Sequence, residues 1–279
     1  TENVVLDLHT DNAGGETSWE IKDANSPFVV CSGNSYSSNS MISLNCCLVP
    51  GCYVLNVFDS FGDGMTTGGY VLRTMDGDRI IDNESDGQFT FQSSSPLGFC
   101  VPMGTDKLTV FTCDREDLSA GSVIVASANP AVAGEFGVGN QSDDGYQFWI
   151  YDPDGSYSRR IYKSHASPGA GGAPGADACA HLKLSSIVTS PVPADKLLNV
   201  RVRSKVNNTF AEFGPACRMM VLSTPIACPT TQLDNNPLHV GTTLSCGATG
   251  KMVGASGNSG KLWPNLVPGA NKYQYEFAF

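Results

Sequence analysis

The chain has 279 residues, enough for two or three small domains, and only 16% of them are charged. Gly, Ser, Asn, Thr and Pro are abundant, and neither a long Ala/Glu/Lys-rich amphipathic helix nor an apolar run of about 18 residues able to span a membrane occurs. The net charge of −10 sits wholly in residues 1–96, where Lys22, Arg73 and Arg79 face thirteen acidic residues while the rest of the chain balances fourteen against fourteen; phosphate recognition needs a basic field, so nucleic acid is not expected as a partner.

In chain order, the first segment reads as short strands at 4–9, 17–22, 27–31, 41–44, 53–58, 69–74 and 88–91. Leu55, Val57 and Asp59 alternate with Val54, Asn56 and Phe58, the period of two that a strand requires. Asp76-Gly77 in "MDGDR" signals a hairpin, and "QSSSPLG" (92–98) reads as a linker. The second segment holds "YQFWIYDPDGSYSRRIY" (146–162), two strands joined at Asp154-Gly155, and "LLNVRVRSKV" (197–206). In the latter Leu198, Val200, Val202 and Ser204 share one face and Asn199, Arg201, Arg203 and Lys205 the other, which predicts a half-buried strand with a basic outer face. "SPGAGGAPGADA" (167–178) is a loop by composition. The third segment repeats the start of the second: "CPTTQL", "GTTLSCGA" and "GANKYQYEF" echo "CDREDL", "GSVIVASA" and "DDGYQFWIY". These readings predict an all-β protein of tandem, disulfide-stabilised β-sandwich domains at 1–96, 97–227 and 228–279. The last is expected to be an incomplete repeat, completed either by further residues or by a strand of another subunit. "TENVVLDL" lacks a basic region followed by an apolar run, so any signal peptide is expected to have been removed.

Ten cysteines and no pair of C-x-x-C motifs favour disulfides over zinc, and with them an oxidising compartment outside the cytoplasm. The expected pairs are Cys31–Cys46, Cys47–Cys52, Cys100–Cys113, Cys179–Cys217 and Cys228–Cys246, although any four cysteines admit three connectivities.

No signature of catalysis is found. "GASGNSG" (254–260) misses the spacing of a nucleophile elbow, no H-E-x-x-H exists, and His9, His165, His181 and His239 stand in unrelated contexts. Asp59 and Asp63 in "DSFGDG", with Asp11 or Glu16 from "TDNAGGETSW", offer oxygens to calcium, a hard cation. The competing expectation is a turn in which the two aspartates cap backbone N–H groups. Arg201, Arg203 and Lys205, joined by Arg159 and Arg160, form an interaction face for an acidic neighbour, or else a solvated sheet face. Trp19 and Trp149 sit in alternating strands and are expected in the core; an exposed aromatic such as Trp263 would suit a glycan. Asn83, Asn140 and Asn207 begin N-x-S/T sequons.

"ETSWEIKDANSPFVV", "CLVPGCYVLNVFDSFGDGM" and "GGYVL" together resemble a β-sandwich module of large secreted proteins of Bacteroidetes. "VGNQSDDGYQFWIYDPDGSYSRR" and "NVRVRSKVNNTFAEFGPACRM" are similar to fibronectin-III-like repeats of the same proteins. The resemblance implies export by type IX secretion and a role as a non-catalytic structural or adhesive component of a cell surface or filament. Self-association, neighbouring domains of the same polypeptide, or surface glycans are then the expected partners. The alternative it implies is an accessory substrate- or glycan-binding part of a larger secreted hydrolase.

Overall fold

The computed structural model describes residues 1–84, 87, 89–94, 98–126, 143–167 and 179–224. Thr1–Pro225 forms one compact unit; the second unit, Ile226–Phe279, lies outside the described residues, and with it the expected third domain, Cys228–Cys246, His239 and Trp263.

The first sandwich is built from β1 (Glu2–His9), β2 (Thr17–Asp23), β3 (Val29–Asn34), β4 (Met41–Leu48), β5 (Gly51–Asp59), β6 (Gly69–Thr74), β7 (Arg79–Asp82), β8 (Gln92–Ser94) and β9 (Phe99–Val101). One sheet runs β4-β1-β6-β7, the other β3-β2-β5-β8, with β9 on β5 as well. Alternation drives the packing: Val4, Leu6 and Leu8 of β1 meet Trp19 and Ile21 of β2 and Tyr53, Leu55 and Val57 of β5 in one core. Each such side chain contributes about 1.5–3 kcal/mol by leaving water.

One expectation in this region is met and another changes. The Asp-Gly turn does form, with Gly77 at φ 92°, and its far strand is β7. Of the expected strand at 88–91, residue 88 lies outside the described residues and 89–91 are not strand; β8 starts at Gln92, inside the segment read as a linker. That segment joins the sheet because β5 has an open edge: Asn56–Phe58 pairs with β8 and Gly51–Tyr53 with β9. Phe99 and Val101 then bury their side chains in the core.

The second core belongs to β10 (Arg115–Leu118), β11 (Val123–Val125), β12 (Gly145–Tyr151), β13 (Ser158–Ser164), β14 (His181–Lys183), β15 (Leu198–Val206), β16 (Thr209–Phe210) and β17 (Cys217–Val221). A sheet of order β10-β17-β15-β12-β13, with β16 on β15, packs with the pair β11-β14 around Ile124, Phe148, Ile150, Leu182, Val200 and Val202. No α-helix occurs among the described residues; two single-turn 3-10 segments do, at Gly14–Glu16 and Leu184–Ser186. No helix of the described residues is long and apolar enough to cross a membrane.

The cores at 1–96 and 97–227 were expected as separate domains; they share one compact unit because polar groups lock them together. The Asn199 side chain accepts from the Asp82 backbone N–H at 2.7 Å and donates to the Asp82 carbonyl at 2.7 Å. The Ala216 N–H donates to the Arg79 carbonyl, and Tyr151 Oη donates to the Ile80 carbonyl at 3.1 Å. Asp154 accepts from Ser93 Oγ at 2.6 Å and from Asn83 Nδ2 at 2.9 Å. Asn199, Asp82 and Asn83 are all buried, so these bonds replace water rather than compete with it.

Three disulfides fasten this unit: Cys31–Cys46, Cys52–Cys100 and Cys113–Cys217. The expected Cys47–Cys52, Cys100–Cys113 and Cys179–Cys217 pairs do not form. Strand alternation puts Cys46 on the buried face of β4 and Cys47 on the exposed one, so Cys47 is a free thiol. Cys52 and Cys100 are directly opposite in the β5–β9 ladder, and Cys217 at the start of β17 meets Cys113 just before β10. Cys179 remains a buried thiol.

Candidate functional site

Two charged clusters stand out, one in each half of the unit. The first is at the end of β5. Tyr53, Leu55, Val57 and Asp59 point inward, so Asp59 enters the core side just where the chain must turn. Its Oδ1 accepts the Phe61 N–H at 3.0 Å, and its Oδ2 accepts the N–H groups of Gly62 at 3.0 Å and Gly64 at 2.6 Å. Gly64 has φ 74°, and a Cβ there would stand 2.3 Å from the Phe89 carbonyl oxygen; only glycine fits. Burial alone would push the Asp59 carboxyl up, but the backbone donors of Phe61, Gly64, Gly62 and Asp63 outweigh it and hold the carboxyl below its ordinary value.

Glu16, Asp59 and Asp63 bring carboxylate oxygens within 4.8 Å of one another. Glu16 is pushed up by desolvation and by the neighbouring Asp59 and Asp63 charges. Asp11, the fourth expected ligand, is outside this group, and its Oδ1 accepts the Ala13 N–H at 2.8 Å. Calcium takes six to eight oxygens. The three carboxylates would supply part of such a sphere, and the backbone donors that Asp59 accepts are those of the turn-capping expectation.

Asp59→Ala therefore strips three backbone donors of their acceptor and is expected to cost about 2–4 kcal/mol, read by urea unfolding. The loss should be the same with and without calcium; a calcium-dependent difference would assign the ion to this cluster. Because the Asp59 pKa is lowered on folding, its contribution is complete above the ordinary aspartate value of 3.8 and disappears as pH falls through the folded value.

The second cluster surrounds the face of β15 that carries Asn199, Arg201, Arg203 and Lys205. It is not the open basic face expected from alternation. Asn199 and Arg201 are 0% and 1% exposed: Asn199 is bonded to the Asp82 backbone, and Arg201 lies under the segment that carries Phe213 and Gly214. Arg201 Nε donates to the Gly214 carbonyl at 2.8 Å and Nη2 to the Phe213 carbonyl at 2.9 Å. Arg203 Nε donates to Gln147 Oε1 at 2.9 Å, and its guanidinium lies 4.3 Å from the Phe210 ring centroid and 4.5 Å from that of Phe213. Arg160 of β13 lies 4.9 Å from the Trp149 ring, which is itself stacked on Tyr151 at 4.3 Å. Lys205 points away, toward Asp143 Oδ2 at 3.5 Å and the Tyr162 ring.

Of the remaining site residues, Trp19 and Trp149 are buried. The Asn83 side chain is 0% exposed, whereas Asn207 sits in an exposed turn; Asn140 lies outside the described residues. His165 Nδ1 approaches Cys179 Sγ at 3.7 Å, but both are sealed in the interior and present no face to a substrate. Sequence reasoning missed Trp149, Phe213 and Glu212 as neighbours of the arginines. The alternation of β12 and the aromatic in "TFAEFG" hold that signal, but the crossing of 211–216 over the sheet is a tertiary event. Compared with protein-family models, curated proteins and solved structures, the chain finds no match in any of the three.

Proposed function

We propose that this chain is a non-catalytic extracellular structural or adhesive element, a stiff length of paired β-sandwiches serving at a cell surface or in a filament. The observation that carries the reading is the fastening of Thr1–Pro225: three disulfides distributed over both cores, and a buried polar lock between them. Disulfides persist where thiols are not kept reduced, which fits export. A lock of buried, mutually satisfied polar groups favours one arrangement of the two sandwiches over a hinge. The resemblance to modules of type IX secretion substrates supports the same compartment.

A second reading, an accessory substrate-binding part of a larger secreted hydrolase, is favoured by the arginine-lined cavity beside Trp149. Antibody raised against residues 1–225 should label intact cells of the source organism. Labelling only after lysis would overturn the extracellular reading, and a hydrolase domain in the full reading frame would select the second.

A further inference from the structure

Four of the eight arginines hold a carboxylate partner: Arg73 with Asp7, Arg79 with Asp82 and Asp114, Arg115 with Asp117, and Arg218 with Asp82 and Glu116. Three of the others, Arg160, Arg201 and Arg203, line a single cavity of about 220 Å³ between β9 and the β13-β12-β15 surface. Among the described residues Glu212 is the one acidic residue in its lining, so these walls carry a formal charge of +2. Among the described residues Arg160 has neither an ion pair nor a hydrogen bond, and its guanidinium rests on the rings of Trp149 and Phe213.

This arrangement leaves charge uncompensated. Burial depresses all three guanidinium groups below their ordinary value, and the charge of Arg160 adds to the effect at Arg201 and Arg203. A guanidinium does not escape by losing its proton, unlike a lysine ammonium; Glu212 offsets part of the charge on Arg201 and Arg203, and a bound anion would relieve the remainder. Planar forks with free N–H groups suit the oxygens of a carboxylate or sulfate.

The size and surroundings narrow the ligand. Arg160 lies over the Trp149 ring and Arg203 against Phe210 and Phe213, so these rings are faced by guanidinium groups rather than presented to a sugar ring. The acidic excess of residues 1–96 repels an extended polyanion. What remains favourable is a single charged group that enters the cavity.

We propose that this cavity binds one compact oxyanion, a carboxylate or sulfate group, gripped by Arg160 and Arg203 over a floor charged by Arg201. The probes are inorganic sulfate and glucuronate, with neutral glucose as control, titrated into the full chain at constant ionic strength while the Trp149 indole N–H resonance is followed. Both anions should give saturable shifts and glucose none. Glucuronate binding tighter than sulfate would place the oxyanion on a sugar, and the reverse order would make it a free anion; either supports the site. Arg160→Gln, at an exposed strand position, and Arg203→Gln should each weaken binding by about tenfold or more, the loss of a charge-assisted contact. Lys205→Gln, outside the cavity, should leave it unchanged. The proposal is overturned if neither anion saturates, if glucose binds as well, or if Lys205→Gln weakens binding as much as the cavity variants.

Discussion

Replacing Cys113 and Cys217 together by alanine is expected to lower the stability of the 1–225 unit by about 4–5 kcal/mol, the largest effect of any change considered. The two residues are 104 apart in sequence, and a cross-link closing a loop of about 100 residues removes that much free energy from the unfolded chain as lost entropy. The comparison is internal. Cys31–Cys46 closes only 15 residues and Cys52–Cys100 closes 48, so their removal should cost about 3 and about 4 kcal/mol. Alanine is the better replacement, because Cys217 is buried in the second core and a serine hydroxyl there would add an unsatisfied polar group. Urea unfolding of the three double variants under non-reducing conditions measures the ranking. If the longest loop gave the smallest loss, the reduced chain would have to retain native-like closure.

The second large effect belongs to the lock. Asn199→Leu keeps the volume but leaves the Asp82 N–H and C=O without partners in a place that water does not reach. Two orphaned backbone groups at about 1–3 kcal/mol each give an expected loss of about 2–6 kcal/mol. The effect should be local before it is global. The amide of Asp82 should exchange much faster with deuterium in the variant, whereas the amides of β1 and β2, far from the junction, should keep their protection until global unfolding. Uniform loss of protection across both sandwiches would instead show that the two cores unfold as one and that the lock has no separate role.

The strands β1 to β6 of the first sandwich were legible because a half-buried sheet writes its period of two directly into sequence. "VVLDL", "WEIKD" and "YVLNVF" place their inward residues by alternation alone. The same rule, applied to "MISLNCCL", sorts Cys46 from Cys47: Ile42, Leu44, Cys46 and Leu48 lie on one face. The local guess Cys47–Cys52 overlooked that. Cys52–Cys100 and Cys113–Cys217 were illegible for a different reason. They depend on β9 reaching the spare edge of β5 and on β10 lying parallel to β17, pairings that sequence proximity does not announce. The basic face of β15 failed in the same way. Alternation identified which residues share a face, but not that 211–216 would cover it and convert a surface stripe into a walled cavity. Asp59 was legible as a turn residue because "DSFGDG" pairs an acceptor with two glycines, and the observed donors are those of Phe61, Gly62 and Gly64.

If the protein is exported, as proposed, the covalent framework of this unit forms outside a reducing compartment. The most direct test is to isolate the protein from its source with thiols trapped by alkylation at the moment of lysis, then map its peptides by mass spectrometry without reduction. The expected linkages are Cys31–Cys46, Cys52–Cys100 and Cys113–Cys217, with Cys47 alkylated in the native protein and Cys179 only after unfolding. Full alkylation of Cys31, Cys46, Cys52, Cys100, Cys113 and Cys217 before any reductant is added would contradict them.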